Sequence, residues 1–369
     1  MALLITLGLI VLIASMAMSF HDQMSLRLAE AKMGALDAEA LSLARSGATL
    51  GKLLLKLDAR PYTWFHQDEG GGAQSEDSEA ETRAGSEILD KVYRMLAATR
   101  RDGFPLEGGS LALDLIDENA KVNINKVTEP QLVNLFFGVG LKRTKKLELL
   151  GENVEEDISR EAAASVLNWR GWRRPGGADD TYYQNQKPPY IMRGGPFEMP
   201  EELMLVKDIT PLNFFGTPPD DTTTPGKGAE AIEPEKSEKK DGASPKEKER
   251  KRVQGIGPLL TVWGDGRINA NNASRAVLKV VPGLAESPQR ELIISEMMKR
   301  RPFKSDGELR GIIGTAGPQQ SATAGATLKV STDVIRVRAI GIRGIRRRTV
   351  DIVLQRKNRE VRTVFYKED

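Results

Sequence analysis

The sequence predicts an α+β protein in which a long N-terminal helix packs on an antiparallel sheet, with a large helical insertion between them. Three observations support this prediction. An uncharged opening segment continues into an apolar stripe at helical spacing, and no proline occurs before Pro61. Segments rich in Val, Ile and Thr occupy the end of the chain. The middle carries apolar residues at helical spacing behind Thr and Ser residues that can cap helices.

The opening segment, Met1 to Phe20, contains no charged side chain. An α-helix rises ~1.5 Å per residue, so this run would span ~30 Å, the thickness of a bilayer core. Because the run begins at Met1 without a basic leading region, we predict a retained membrane anchor, and a cleaved secretory signal is the alternative. The predicted anchor residues are Met1, Leu3, Leu4, Ile5, Leu7, Ile10, Leu12, Ile13 and Phe20.

The same helix is predicted to continue to about Leu57, with a narrow apolar seam on its outer half. The seam residues follow one another in steps of three and four, as in an a/d pattern. They are Leu26, Ala29, Met33, Leu36, Ala40, Leu43, Gly47, Leu50, Leu54 and Leu57. The partner of this seam could be a second coiled-coil strand or a domain of the same chain. Ala and Gly in its middle favour close packing on a sheet or on neighbouring helices. We predict a partner-facing seam at Leu26, Met33, Leu36 and Leu43.

The composition points away from an enzyme. The chain has 369 residues, a net charge of +3, no cysteine and two histidines, His21 and His66. Without cysteine there are no disulfides or thiolate metal sites, and two distant histidines do not suggest a His-rich metal site or a catalytic triad. No phosphate-binding loop is found, since Gly226-Lys227 lacks the upstream glycine, whose place is taken by Asp221.

The chain divides into segments of contrasting composition. Residues 68–84 and 217–252 have few large apolar side chains and are predicted to be disordered loops. A helix is predicted over Ser86 to Arg100 and a strand over Ser110 to Asp114. The predicted organisation is a transmembrane segment at 1–20, a helix and first strands at 21–125, a first helical module at 126–216, a linker at 217–252, a second helical module at 253–326 and C-terminal strands at 327–369.

A weak internal repeat marks the two helical modules. Ala120 to Thr128 and Gly266 to Ser274 each contain an Asn-x-Asn sequence followed by a Thr or Ser that can cap a helix. Each copy is therefore predicted to be a small strand-then-helices module. We expect the asparagines to bind the backbone amides of turns, which is a structural role.

The C-terminal part is predicted to form three antiparallel strands, at Asp333 to Ile340, Arg346 to Gln355 and Glu360 to Tyr366. From Thr327 onward, basic residues clearly outnumber acidic ones. Such a sheet could face phospholipid, nucleic acid or an acidic partner subunit. It could equally be a solvated face of a twisted sheet.

The order of these parts and several local motifs resemble the type II secretion system minor pseudopilin K family (general secretion pathway protein K). The motifs are Ala2-Leu3-Leu4, Ala120 to Asn125, Gly177 to Tyr183, Pro188-Pro189-Tyr190, Pro196-Phe197 with Glu201-Glu202-Leu203, Ile268 to Asn271 and Val330-Ser331-Thr332. The resemblance covers nearly the whole chain apart from the two predicted disordered loops. It implies a pilin-like fold with a large inserted all-helical domain of the SAM or helix-hairpin-helix type.

The resemblance also implies a function and partners. The protein would be a non-enzymatic subunit with a methylated N-terminus at the tip of a periplasmic pseudopilus, priming its assembly and supporting export of folded proteins across the outer membrane. Its partners would be two other minor pseudopilins (the I and J classes), the major pseudopilin, the inner-membrane assembly platform and membrane lipid. It would cross the bacterial inner membrane once, with its head in the periplasm, and no nucleic acid is expected.

Two features of the sequence suit a capping role. Most pilin-like subunits carry at position 5 a glutamate that pairs with the terminal amine of the subunit above, whereas this chain has Ile5. A carboxylate buried in lipid without a partner costs several kcal/mol, so a subunit with nothing above it gains from an apolar residue. An insertion of roughly 200 residues in the head would also block stacking of another subunit.

The resemblance implies a calcium site in some relatives, but this sequence departs from the motif. Where the family often has an acidic stretch, this chain has the basic run Asn168 to Arg174. Calcium prefers several oxygen ligands in one shell. Asp179 and Asp180 remain as candidate ligands, and the alternative is that they cap turns or pair with arginine. No cofactor is required otherwise. Trp169 and Trp172 are predicted to be core residues.

The alternative function is a membrane-tethered DNA-binding protein of the DNA-uptake type. Leu135 to Lys146 resembles a helix-hairpin-helix motif, whose glycine turn offers amides to a phosphate while lysines neutralise its charge. Val280 to Ser305 resembles a second copy that lacks one hairpin glycine, because Ala285 or Glu286 stands in its place. Such modules also serve as protein scaffolds.

Overall fold

The computed structural model describes residues 2–58, 91–92, 95–96, 103–147, 152–217, 254–357 and 360–369, with the backbone alone at 2–5, 11, 144–147 and 152–155. The predicted loop at 68–84, and that at 217–252 apart from Thr217, lie outside the described residues. The chain forms two compact units. The first contains Met1–Lys121 and Trp263–Asp369, and the second contains Val122–Val262.

The described parts of the chain contain both helices and strands. In chain order the helices are α1 (Ala2–Leu57), α2 (Glu129–Gly138), α3 (Ser159–Trp169), α4 (Asp180–Gln184), α5 (Pro211–Phe215), α6 (Arg275–Leu278), α7 (Arg290–Arg300), α8 (Asp306–Ile313) and α9 (Pro318–Thr327). The strands are β1 (Phe104–Leu106), β2 (Gly109–Asp117), β3 (Val122–Asn123), β4 (Lys142–Leu147), β5 (Glu152–Asp157), β6 (Leu260–Thr261), β7 (Ile268–Asn269), β8 (Leu328–Lys329), β9 (Val334–Arg343), β10 (Arg346–Lys357) and β11 (Glu360–Glu368).

The long N-terminal helix is confirmed as one uninterrupted element of 56 residues. The absence of proline before Pro61 allows this length, since every backbone N–H in the run can reach its acceptor four residues back. The last such bond joins the amide of Asp58 to the carbonyl of Leu54 at 3.0 Å. Of the predicted helix at Ser86 to Arg100, the four described residues are helical.

The first unit contains a five-stranded sheet in the order β1-β2-β9-β10-β11. All four pairings are antiparallel. The three predicted C-terminal strands are confirmed, each somewhat longer than expected. Ala339 on β9 lies opposite Leu113 on β2 and Val350 on β10, so buried residues line up across the strands. The sheet thus joins a strand before the insertion to three strands after it.

The core of the first unit lies between α1 and the sheet. Its buried residues come from the second half of the helix and from the alternating positions of β2, β9 and β10. They include Ala44, Ala48, Leu54, Leu55, Leu111, Leu113, Leu115, Ile335, Val337, Ala339, Val350, Ile352 and Leu354. This packing confirms that the helix packs on an antiparallel sheet of the same chain.

The second helical module, with α6 to α9, belongs to the first unit. Its short strands β7 and β8 pair in parallel. Within it, Ser274 and Ser305 cap α6 and α8, each accepting a bond from the backbone N–H three residues later. The predicted Ser cap at the start of the second repeat is therefore confirmed.

The second unit holds the first module, with α2 to α5 around a buried aromatic and aliphatic core. Its strands β3 and β6 also pair in parallel. The expectation of an all-helical insertion needs one correction, because β4 and β5 form an antiparallel hairpin. The Lys-rich run from Lys142 is strand because it pairs with the acidic strand β5, where Lys142 lies opposite Asp157 and Arg143 opposite Glu156.

Candidate functional site

The N-terminal half of α1 exposes an apolar surface. Its described large apolar side chains lie in solvent, among them the predicted anchor residues Leu7, Ile10, Leu12, Ile13 and Phe20. The side chains of the other predicted anchor residues, Met1, Leu3, Leu4 and Ile5, lie outside the described set. By length and composition, Thr6–Leu57 is a candidate membrane span, with a most apolar window of mean hydropathy 1.4 that is 0% buried. A contiguous apolar surface of this kind is typical of contact with lipid or with other helices.

The second half of α1 packs on the sheet through small residues. An added Cβ on Gly47 would lie 2.5 Å from Leu111 Cδ1 and 2.9 Å from Ala339 Cβ, and one on Gly51 would lie 2.5 Å from Val337 Cγ1. From the sheet side, a Cβ on Gly341 would lie 1.9 Å from the carbonyl oxygen of Ala40. Helix and sheet therefore approach so closely that a side chain at Gly341 would clash with the helix backbone, and one at Gly47 or Gly51 would force the facing side chains to shift.

The predicted partner-facing seam is only partly covered. Leu26 is 62% exposed. Met33, Leu36 and Leu43 are half-buried. Among the later seam residues, Ala40, Gly47 and Leu54 are buried, whereas Leu50 and Leu57 are exposed. The covered stripe is thus narrower than the sequence pattern suggests and is centred on Ala and Gly.

Ion pairs join α1 to the sheet. Arg45 donates two hydrogen bonds to the Glu368 carboxylate, at 2.7 and 2.9 Å. This arginine and the Tyr366 hydroxyl lower the pKa of Glu368 to about 2. Arg343 contacts Glu39 at 2.6 Å, so part of the basic excess of the C-terminal strands is neutralised by the chain's own helix.

A buried carboxylate joins the sheet to the second helical module. Asp117, at the end of β2, accepts hydrogen bonds from the side chains of Asn269 (2.7 Å), Asn272 (2.8 Å) and Thr332 (2.5 Å). It also accepts one from the backbone N–H of Asn119 at 2.8 Å. Burial raises the pKa of Asp117, and these hydrogen bonds oppose that shift. Four neutral donors compensate for the burial of this acid.

The Asn-x-Asn repeat has the same geometry in both modules. The Asn125 side chain accepts from the backbone N–H of Phe197 (2.8 Å) and donates to its carbonyl (2.9 Å). The Asn271 side chain makes the same two bonds to Phe303, at 2.8 and 3.0 Å. The expected binding of backbone groups by these asparagines is confirmed.

The structural repeat includes more residues than the two similar Asn-x-Asn segments of the sequence revealed. Arg170 donates to the carbonyl of Val127 (3.0 Å) in one module, and Arg301 donates to the carbonyl of Ala273 (2.6 Å) in the other. Both modules also contain Pro-Phe followed, after four residues, by Glu-Leu, at 196–203 and 302–309. This spacing is the sequence signal that could have revealed the second half of the repeat.

The candidate calcium residues belong to a helix start. The Asp179 side chain accepts a hydrogen bond from the backbone N–H of Tyr182 at 3.1 Å and caps α4. In the described part of the chain no three His, Cys, Asp or Glu side chains converge on one point. Because calcium takes about six to eight oxygen ligands, Asp179 and Asp180 alone do not form its shell.

The two tryptophans beside this region differ in environment. Trp169 is 3% exposed and packs on Tyr183 (ring centroids 5.2 Å apart) and Phe197 (6.5 Å), as predicted for a core residue. Burial raises the pKa of Tyr183 to about 12. The prediction for Trp172 was wrong, because its side chain is 50% exposed. Helical spacing suggested a shared face, but α3 ends at Trp169 and Trp172 lies beyond the turn.

The first segment predicted to resemble a helix-hairpin-helix has no second helix, and the glycine turn of the second segment is engaged within the chain. After the turn at Gly138 to Gly140 the chain enters β4 instead of a second helix. In the second module, the amide of Gly283 donates to the carboxylate of Glu286. A Cβ on Gly283 would lie 2.1 Å from the carbonyl oxygen of Gln320. This turn is therefore packed against α9, and the Gly283 amide is engaged within the chain.

Comparison with known proteins was made at the level of families, curated sequences and solved structures. No family model and no curated protein matches the chain. A chain in the crystal structure of the GspK-GspI-GspJ complex from the enterotoxigenic Escherichia coli type 2 secretion system matches with a TM-score of 0.51 and 14% identity. The match covers 95% of this chain and 98% of that chain. The protein therefore has a GspK-like fold, in which a long apolar N-terminal helix packs on an antiparallel sheet that carries a large insertion.

Proposed function

We propose that the protein is a minor pseudopilin that caps the tip of a type II secretion pseudopilus, primes its assembly and supports export of folded proteins across the outer membrane. The observation that carries the proposal is the GspK-like fold, which extends over 95% of the chain and includes the insertion. The role is mechanical and requires no catalytic site.

The anchor part of the proposal is supported by the exposed apolar half of α1. In this proposal the segment crosses the bacterial inner membrane once, and the sheet and the insertion lie in the periplasm. Lipid would cover side chains such as Ile10 and Phe20, which are otherwise left in water. The small-residue contact between α1 and the sheet holds the head on this stem.

The capping part is supported by Ile5 and by the size of the insertion. An apolar residue at position 5 needs no amine from a subunit above it, so the chain can end a fibre without leaving a charge unpaired in lipid. The insertion lies between β2 and β9, neighbours in the sheet, and adds two modules to the head. These two modules would sterically hinder a further subunit stacked above this one.

The proposed partners are the I- and J-class minor pseudopilins, with the major pseudopilin and the assembly platform acting later. In the related structure the chains named are GspK, GspI and GspJ. The exposed and half-buried seam residues Leu26, Met33, Leu36 and Leu43 are the surface of α1 that we assign to these partners.

Reconstitution tests this proposal. The full chain in detergent is mixed with the I- and J-class minor pseudopilins of the same genome and separated by gel filtration. We expect one complex containing all three chains. Because the chain has no cysteine, Ile191→Cys provides a unique label at a side chain that is 76% exposed. The label should mark one end of each pseudopilus. Elution of the chain alone, or label along the fibre, would overturn the tip role.

A further inference from the structure

The turn after α3 presents an exposed tryptophan in a fixed position. Gly171 has a φ of 90°, and a Cβ there would lie 2.9 Å from the carbonyl oxygen of Gly194. The amide of Trp172 donates to the carbonyl of Leu167 at 2.9 Å. The backbone is therefore held on both sides of the turn, and the half-exposed Trp172 ring is not part of the core.

Two arginines stack on this ring. The Cζ atom of Arg170 lies 5.1 Å from the centroid of the Trp172 ring, and that of Arg174 lies 5.8 Å from it. Arg170 is also fixed by its bonds to the carbonyls of Asn125 (2.6 Å) and Val127 (3.0 Å). These partners are neutral, so the guanidinium keeps its full charge uncompensated.

The surroundings add positive charge. Lys126 lies between the two carbonyls that bind Arg170, and both Lys126 and Arg173 are exposed. Neither forms an ion pair with a described residue. Among the described residues, the acid that contacts this set is Glu129, 3.6 Å from Arg174. We call Lys126, Arg170, Trp172, Arg173 and Arg174 the basic tryptophan surface.

The hairpin between β9 and β10 provides a contrast within the same chain. Its arginines are also numerous, but Arg343 contacts Glu39 at 2.6 Å and Arg348 contacts Asp37 at 3.2 Å. There the fold supplies the acids itself. At the basic tryptophan surface the described residues supply one acid for four cations, so most of the positive charge is left for another molecule.

We propose that the basic tryptophan surface binds an acidic segment of a protein partner. Arg and Trp are the residues that most often dominate the binding energy of protein interfaces, and carboxylates are the natural partners of arginine forks. A binding groove for single-stranded nucleic acid would stack successive bases on several aromatic rings, whereas Trp172 is the one exposed ring of this surface. The inference does not depend on assembly of a pseudopilus.

Fluorescence anisotropy tests the proposal with the full chain in lipid nanodiscs. The probe is a fluorescein-labelled deca-glutamate peptide at physiological salt, with deca-glutamine as the uncharged reference. We expect binding of deca-glutamate alone, weakened about tenfold by Arg173→Glu and several-fold by Trp172→Ala. The matched control is Arg347→Glu, since Arg347 is exposed on β10 and forms no ion pair with a described residue. This control should change affinity less than about twofold.

Three outcomes would overturn the proposal. The first is no binding of deca-glutamate, and the second is equal losses in Arg173→Glu and Arg347→Glu, which would mean non-specific attraction. The third is that a single-stranded oligonucleotide of equal charge binds more tightly than deca-glutamate, and that Arg173→Glu abolishes this binding. Arg173 is exposed and makes no hydrogen bond or ion pair with a described residue, so Arg173→Glu should fold like the wild type. The deca-glutamate assay does not depend on the three-chain reconstitution, so this proposal can fail while the proposed tip complex still forms.

Discussion

At the scale of single residues, glycine and alanine decide how α1 meets the sheet. The a/d spacing of the stem indicates which face is apolar, but large residues at its margin, such as Leu50 and Leu57, remain exposed. The covered line runs through Ala40, Ala44 and Gly47 because the backbone of Gly341 approaches the helix there. A pattern that weighs leucine above glycine therefore misplaces the seam.

A pair of substitutions on the same helix tests this contact. Gly34→Ala and Gly47→Ala should gain equally in helix propensity, about 1 kcal/mol. Nothing lies within 4 Å of a Cβ at Gly34, whereas a Cβ at Gly47 meets Leu111 and Ala339. We expect Gly47→Ala to be less stable than Gly34→Ala by about 1–3 kcal/mol, the usual cost of overpacking. Denaturant titration of the full chain in micelles measures the difference. Equal stabilities would contradict the close approach.

Trp172 shows the same limit of sequence reasoning at a site. Its spacing from Trp169 suggested a shared buried face, and the structure separates the two by the end of α3 and the Gly171 turn. The basic run from Asn168 to Arg174 was visible in the sequence. The sequence did not show that this positive charge gathers around one exposed ring, because Lys126 and Glu129 belong to a different part of the chain.

At the scale of elements, the two modules repeat one construction. Each module contains a parallel strand pair. In each, an Asn side chain binds the backbone of a Phe, and an Arg side chain binds a backbone carbonyl. The Asn-x-Asn part of the repeat was recognisable in the sequence because its residues are consecutive. The phenylalanine lies 72 residues away in one copy and 32 in the other, so unequal loops hide the correspondence.

Equivalent substitutions in the two copies give a matched test at this scale. Asn271 is 1% exposed and also donates to the carbonyl of Val330 at 3.2 Å, whereas Asn125 is half-buried. Each buried backbone group left without a partner costs about 1–3 kcal/mol. We therefore expect Asn271→Ala to lower the free energy of unfolding more than Asn125→Ala. Thermal unfolding followed by circular dichroism measures both. A larger loss in Asn125→Ala would contradict the assignment of these bonds.

At the scale of the whole molecule, α1 serves two environments. Its first half exposes apolar side chains, and its second half packs in the core of a sheet whose strands lie on both sides of the insertion in the chain. The order of the strands places β2 beside β9, so a large insertion is accommodated without interrupting the sheet. This arrangement permits an anchored stem and an enlarged head in one chain.

Arginine substitutions at two positions along α1 test where the membrane span ends. Ile13 and Leu26 are similarly exposed, at 58% and 62%. An arginine in the centre of a transmembrane helix costs about 2.5–3.5 kcal/mol on insertion scales, and one outside the lipid costs little. We expect Ile13→Arg to reduce the share of the chain recovered in carbonate-washed membranes and Leu26→Arg to leave it unchanged. Equal recovery of both variants would show that the span does not end near Phe20.

Sequence patterns alone predicted the length of α1, the three C-terminal strands, the helix caps and the first half of the repeat. These features follow from contiguous patterns of apolar spacing, proline and capping residues, which act over a few neighbours. Packing in three dimensions was needed to show which residues of the seam are covered, why the lysine run of β4 is a strand and where the basic tryptophan surface forms. The covered seam and the basic tryptophan surface depend on residues distant in the chain (Gly341 and Lys126). The strand β4 depends on its pairing with β5, which the apolar spacing of a single segment does not reveal.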